Sequence, residues 1–246
     1  MFPSTYFVSD YFSERYFEPL GGAEEESVVA VVQESDFTLN SGTPITIVLP
    51  GVTAHSLLAV VVQCHSTAIR TFTCSDDKSN TWVEAIRAQD GGADGAIFYV
   101  EDAAAGDTTI TITPNAAITC GAIAYEISGA DTLDQTAQFD DTVSSDNHYC
   151  AAAGGITTHA DVIVICNGRL TAAATSLAAG SGYTASYTST SRIVQYKISE
   201  TALSAERGAF TSVGTDRPSF GFMASFYDSG AAPVIPNAIP VVVNFM

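Results

Sequence analysis

The chain has 246 residues and a net charge of −18, from 27 acidic and nine basic side chains. Nine scattered Lys and Arg residues do not supply the clustered positive charge that binding to nucleic acid or to an anionic membrane surface requires. No stretch approaches the roughly 18 consecutive apolar residues of a membrane span, and residues 1–20 lack the basic and apolar regions of a signal peptide.

The first 20 residues, MFPSTYFVSDYFSERYFEPL, contain a Tyr-Phe doublet that recurs every five residues. The six aromatic residues are Tyr6, Phe7, Tyr11, Phe12, Tyr16 and Phe17. A spacing of five forms no stripe on a helix and alternates between the faces of a strand, so the doublets suit an extended chain lying in a groove. With the flexible acidic linker GGAEEES, residues 1–27 are predicted to be an anchoring arm. Its rings bind either another subunit, which we favour, or their own domain.

From residue 28 to residue 230, short β-branched runs are separated by Gly, Asp, Asn and Ser, as in LLAVVVQC (57–64) and DVIVICN (161–167). This pattern predicts an all-β domain, formed by a single antiparallel β-sandwich of the jelly-roll-like type. Residues 231–246 contain three prolines among apolar residues. They are predicted to form an extended apolar tail that packs against another surface.

Three segments of the first half have weak parallels in the second half. They are AVVVQCHS (59–66) with VIVICNGR (162–169), AIFYVEDAAAG (96–106) with IVQYKISETAL (193–203), and CGAIAYEISGA (120–130) with FGFMASFYDSGA (220–231). These parallels indicate either a duplication or two similar sheets. Neither half is expected to be a separate domain.

The five cysteines include no CxxC pattern, which gives little support for a zinc site. Cys64, Cys120 and Cys166 lie inside apolar runs. All five cysteines are expected to be free thiols, and these three are expected to be buried, as is usual for a protein made in a reducing compartment.

The segment DDKSNTW (residues 76–82) is the strongest local polar motif. Asp76, Asp77 and Asn80 could bind calcium through oxygen atoms. The favoured interpretation is a turn in which these side chains bond the local backbone and Trp82 enters the core. Tyr183 and Tyr187 are spaced by four residues and are predicted to share a strand face, where they form a small sugar-binding platform or, more simply, pack across strands.

The four histidines show no metal-ligand spacing, and the sequence contains no Gly-x-Ser-x-Gly elbow that would present a nucleophile. No catalytic residue, metal or cofactor is therefore predicted, and the protein is not expected to be an enzyme.

Seven segments occur in the order HSLLAVVVQC, CSDDKSNTW, AIFYVEDAAAGDTTITIT, AIAYEISGADTLDQTA, TTHADVIVICNG, AAGSGYT and SFGFMASFY. Together they resemble a β-sandwich display module of phage structural proteins and bacterial surface proteins, over about residues 28–228. The Tyr-Phe opening is similar to short repeats at the start of tailed-phage virion proteins. These motifs are signatures of a fold and include no catalytic group.

The resemblance implies a protein used for display, adhesion or assembly. We therefore expect a structural protein of a tailed-phage virion, assembled in the host cytoplasm as a capsid decoration protein, a head fibre or a minor tail component. The expected partners are other capsid or tail subunits, in a homo-oligomer or a symmetric multi-copy assembly. The alternative is a carbohydrate-binding or adhesion module on a phage or bacterial surface, with a host-surface glycan as its ligand.

Overall fold

The computed structural model describes residues 28–230 except residues 43, 66–68, 90–92, 172 and 215–216. The predicted arm and linker (1–27) and the predicted tail (231–246) lie outside the described residues. Within the described part, every regular element is a β-strand and no helix is present. The prediction of an all-β protein is confirmed.

Seventeen strands occur in this part of the chain, and neighbouring strands pair antiparallel. They are β1 (Ala30–Glu34), β2 (Thr38–Asn40), β3 (Ile45–Val52), β4 (Leu57–His65), β5 (Phe72–Asp76), β6 (Val83–Gln89), β7 (Ala93–Val100), β8 (Gly106–Pro114), β9 (Cys120–Ser128), β10 (Thr132–Ser145), β11 (Asn147–His148), β12 (Val162–Leu170), β13 (Ser176–Ala179), β14 (Thr184–Thr188), β15 (Arg192–Ser199), β16 (Phe210–Val213) and β17 (Arg217–Tyr227).

The strands form four sheets, which we name A to D. Sheet A has the order β1-β9-β4-β7-β6, with β2 also pairing with β9, and sheet B has the order β3-β8-β5. Sheet C has the order β10-β17-β12-β15-β14, and sheet D has the order β11-β16-β13. A single sandwich of two sheets is therefore not confirmed, because the described strands divide among four sheets.

Three hydrophobic cores lie between the sheets and define their stacking order. The middle core joins sheet A to sheet C and includes Ile123 and Phe222. A second core fills the space between sheets A and B, and a third fills the space between sheets C and D. The order of the layers is therefore B, A, C, D, with the larger sheets A and C buried on both faces.

The two halves of the chain have the same topology. Strand by strand, β1 corresponds to β10, and β3 through β9 correspond in order to β11 through β17. Only β2 has no counterpart among the described strands. The three sequence parallels fall on equivalent strands, which are β4 and β12, β7 and β15, and β9 and β17. Each half is thus a small sandwich, with one sheet on the middle core and one on the outside.

The residue-level match of β4 with β12 needs a one-residue correction. Aligning residues 59–66 with 162–169 pairs Ala59, which lies in the middle core, with Val162, which lies in the core between sheets C and D. Neighbouring residues of a strand point to opposite faces, so a shift of one residue restores the match. The sequence could not set this register because both faces of these strands are apolar.

The two halves approach closely at Gly95 and Gly121 of sheet A. A Cβ atom added at Gly95 would lie 2.4 Å from Cζ of Phe222 in sheet C. A Cβ atom added at Gly121 would lie 2.2 Å from Cζ of Phe37, whose ring stacks on Tyr187 of sheet C at 3.8 Å between centroids. The absence of a side chain at these glycines lets aromatic rings fill the space between the halves.

Candidate attachment site

The six aromatic residues predicted to bind a partner lie outside the described residues. They are Tyr6, Phe7, Tyr11, Phe12, Tyr16 and Phe17. What the structure does place are the two points at which the predicted arm and the predicted tail join the folded body, next to Val28 and next to Gly230.

The arm joins the body beside the connection between the two halves. A Cβ atom added at Gly129 would lie 2.6 Å from the carbonyl oxygen of Val28, so the two backbones are in direct contact. Gly129 has a φ of 71°, a conformation that glycine adopts without strain. Val28 is 65% exposed, whereas Val29 and Ala130 are buried in the middle core. The chain therefore enters the core immediately after Val28.

The tail joins the body at the same connection. Ser229 donates two hydrogen bonds to the carboxylate of Asp131, from its backbone nitrogen at 2.9 Å and from its hydroxyl at 2.7 Å. The backbone nitrogen of Asp131 in turn donates to the carbonyl of Tyr227 at 3.0 Å. Residues 28, 129–131 and 228–230 therefore form one local surface, which we name the junction pole.

A buried carboxylate, Glu126, lies three residues before Gly129 of the junction pole. Glu126 on β9 accepts hydrogen bonds from Nε2 of Gln33, from the backbone nitrogen of Thr53 at 2.7 Å and from the hydroxyl of Ser56 at 3.0 Å. Burial opposes ionisation, but these hydrogen bonds outweigh it and hold the pKa of Glu126 below its usual range. The charged form thus ties β1 and the loop before β4 to β9.

A histidine, a carboxylate and a hydroxyl meet in the second half of the molecule, near the junction pole. Nδ1 of His159 lies 2.9 Å from Oδ1 of Asp134, and the hydroxyl of Ser225 donates to Oδ2 of Asp134 at 3.3 Å. In a catalytic triad the histidine lies between the nucleophile and the acid. Here the carboxylate occupies the middle position, and the histidine ring stacks on Tyr227 at 4.0 Å. This order leaves the serine hydroxyl without contact to the base.

The DDKSNTW motif forms a turn. Oδ1 of Asp76 accepts hydrogen bonds from the backbone nitrogens of Lys78 and Asn80, at 2.9 and 3.1 Å. Oδ2 of Asp76 accepts Nδ2 of Asn80 at 2.8 Å and the indole nitrogen of Trp82 at 2.9 Å. Asp77 accepts the backbone nitrogen of Thr109 at 2.9 Å. These oxygens bond protein donors, as the turn interpretation requires, and Trp82 is partly buried against the core between sheets A and B.

The prediction that Tyr183 and Tyr187 share a strand face is wrong. Tyr183 packs against the core between sheets C and D, whereas Tyr187 packs against the middle core on the other face of sheet C. The cause is a bulge in the pairing of β14 with β15 between Ala185 and Tyr187. An extra residue in a strand reverses the alternation of the side chains that follow it. The two rings therefore do not form a common platform.

All five cysteines are free, and the predicted burial of Cys64, Cys120 and Cys166 is confirmed. Cys150 is also fully buried, whereas Cys74 is partly buried. The described side chains include no group of three or more His, Cys, Asp or Glu residues that could hold a metal ion. Among the same residues, no helix of the length and apolar character needed to cross a membrane occurs.

The sequence patterns did not predict the junction pole. Ser229 and Asp131 are 98 residues apart in the chain, and Val28 and Gly129 contact each other only because β1 pairs with β9. The Ser-Gly-Ala of residues 128–130 was a usable signal, because the same tripeptide recurs at residues 229–231.

Compared with known proteins, the chain matches no family model, no curated protein and no solved structure.

Proposed function

We propose that the protein is a non-enzymatic structural component of a tailed-phage virion, anchored by its N-terminal arm. The observation that carries this proposal is the junction pole, where Val28 and Ser229 contact the same connection. Two terminal segments rich in aromatic or apolar residues leave the body there. Contacts made by these segments hold the protein by one end, and the opposite ends of both sandwiches then face outward.

Burial of the aromatic rings supplies the free energy of attachment. Each ring removes about 150–250 Å² from water, and six rings at roughly 25 cal/mol per Å² contribute on the order of 20 kcal/mol before costs. Ordering the arm costs about 1–2 kcal/mol for the backbone of each residue, which offsets most or all of this gain. One arm alone therefore binds weakly, and firm attachment follows when several copies in a symmetric assembly bind together with other capsid or tail subunits.

The topology refines the proposed architecture. We infer that the jelly-roll-like unit is each half of the body, residues 28–130 and residues 131–230, and that the two units arose by duplication. The matching strand orders of sheets A and C and of sheets B and D support this inference.

The test is removal of residues 1–20 from the full chain, with the linker kept. Incorporation into the particle should be lost, while the melting temperature of the body stays the same, because the proposed arm binds a partner and not its own body. The matched control replaces Ser9 and Ser13 by Ala and keeps the six rings, and it should assemble normally. A truncated protein that assembles would show that the anchor lies elsewhere. A truncated protein that melts much earlier would show that the arm belongs to its own core.

The carbohydrate-binding alternative loses its proposed site, because Tyr183 and Tyr187 lie on opposite faces of sheet C. No other feature of the described residues specifically favours sugar binding over assembly. Glycan binding that persists after removal of the arm, together with normal particle assembly without the protein, would favour the alternative.

A further inference from the structure

Four of the five cysteines form two facing pairs, one pair in each half of the molecule. Cys64 on β4 is the direct cross-strand partner of Cys120 on β9, and both side chains are fully buried in the core between sheets A and B. The two residues are 56 positions apart in the chain, so the sequence alone did not reveal this pair.

The backbone geometry of this pair suits a disulfide. Directly opposed residues of antiparallel strands have Cα atoms about 4.5–5.5 Å apart. A disulfide spans Cα separations of about 4.4–6.8 Å. Bond formation between Cys64 and Cys120 therefore needs rotation of two side chains and no displacement of β4 against β9. The neighbouring thiol of Cys120 also lowers the pKa of Cys64, which favours the thiolate that attacks a disulfide.

The second pair lies in the core between sheets C and D. Cys150 and Cys166 are both fully buried. Both sulfur atoms lie beside Gly208, because a Cβ atom added there would be 2.7 Å from Sγ of Cys166 and 3.4 Å from Sγ of Cys150. Cys74 has a different position, on β5 and opposite Ile112 of β8.

We propose that these two pairs are oxidation sites, at which a small disulfide such as oxidised glutathione closes a Cys64–Cys120 and a Cys150–Cys166 disulfide. At each site one thiolate attacks the small disulfide and releases one glutathione thiol. The second thiolate then attacks the mixed disulfide and releases the other. The pair loses two electrons and two protons, and both are recovered in the two molecules of reduced glutathione.

The consequence is one disulfide cross-link in each half of the body. A disulfide restricts the unfolded chain, and the two loops, 64–120 and 150–166, lie in different halves and do not overlap. This inference stands apart from the proposed function. Under that function, the thiols remain reduced during assembly in the cytoplasm and close after release into an oxidising medium.

The test uses the full-length reduced protein, incubated with oxidised glutathione in urea below the unfolding transition so that the buried thiols open locally. Peptide mapping without reduction should find Cys64 linked to Cys120 and Cys150 linked to Cys166. Thiol titration after denaturation should find one remaining thiol, Cys74, and the oxidised protein should melt at a higher temperature than the reduced protein.

The controls keep each outcome decisive. Cys74→Ala should leave both disulfides in place, Cys64→Ala should remove only the first, and Cys150→Ala should remove only the second. The wild-type peptide map needs no variant to fold. The proposal is overturned if Cys74 takes part in a native cross-link, if stable glutathione adducts accumulate in place of disulfides, or if all five thiols survive while circular dichroism shows the native fold.

Discussion

Glu206 holds the loop before β16 against sheet C. Its Oε1 accepts hydrogen bonds from the hydroxyl of Tyr183 at 3.0 Å and from the backbone nitrogen of Gly208 at 3.1 Å. Its Oε2 lies 2.7 Å from Nζ of Lys197. Burial opposes the charged form, but the hydrogen bonds from Lys197 and Gly208 outweigh it and lower the pKa of Glu206. A depressed carboxyl pKa gives stability that is present at neutral pH and is lost as the pH falls through that pKa.

Replacing Glu206 by Gln should therefore destabilise the protein at pH 7 by about 1–3 kcal/mol, because charged hydrogen bonds are lost from a partly buried site. The difference from wild type should shrink as the pH falls below the ordinary glutamate pKa of about 4.3, because the unfolded wild-type chain then takes up the proton before the folded state does. Urea unfolding at pH 7 and at pH 3.5 measures this change. The control is Glu200→Gln, an exposed glutamate, which should leave stability nearly unchanged. An equal loss at both pH values would contradict the argument.

At the scale of the strand, the burial pattern separates inner sheets from outer sheets. β3 of sheet B alternates between buried and exposed residues, whereas β12 of sheet C is buried at all of its nine residues. Alternation of apolar and polar residues is typical of a strand with one solvent-exposed face. A continuous apolar run is typical of a strand that is buried on both faces. LLAVVVQC and DVIVICN thus already indicated strands with two buried faces, which a single sandwich does not provide.

The sequence predicted the strands, the turn at residues 76–82 and the burial of Cys64, Cys120 and Cys166. It did not predict the stacking of four sheets, because stacking depends on pairings between distant strands. It also missed the bulge in β14, where YTASY shows the same alternation with or without an extra residue. The local sequence pattern indicates whether one or both faces of a strand are buried. Pairing and packing between distant strands determine which sheet buries each face.

This distinction predicts different responses to truncation on β4 and β3. Val60 faces the core between sheets A and B and Val61 faces the middle core, so Val60→Ala and Val61→Ala should each cost about 2 kcal/mol or more. Val48 on β3 is 56% exposed, so Val48→Ala should change stability by less than about 0.5 kcal/mol. Urea unfolding of the three variants tests this order. If Val61→Ala leaves stability unchanged, that face of β4 would be exposed to water and would not pack against sheet C.

At the scale of the whole molecule, the two halves of matching topology share one core, and the described chain begins and ends beside the connection between them. The middle core takes residues from both halves, and Arg169 of sheet C donates a hydrogen bond to the carbonyl of Cys64 in sheet A at 2.9 Å. The junction pole then brings both terminal segments to the connection between the halves. Independent halves could move relative to each other, whereas a shared core holds them together.

The shared core predicts that both halves unfold in one transition, and Gly95 offers a direct test. Gly95→Ala places a methyl group against the Phe222 ring and the carbonyl of Val62, so it should destabilise the protein by about 1–3 kcal/mol. The control Gly42→Ala meets only Asn40, at 3.7 Å, and should be tolerated. Fluorescence of Trp82, the single tryptophan, reports on the first half, and hydrogen exchange at β12 reports on the second. Both probes should shift together in Gly95→Ala, since the methyl group strains the contact that the halves share. A shift confined to Trp82 would mean that each half folds on its own, and that the middle core is a docking surface between two separate units.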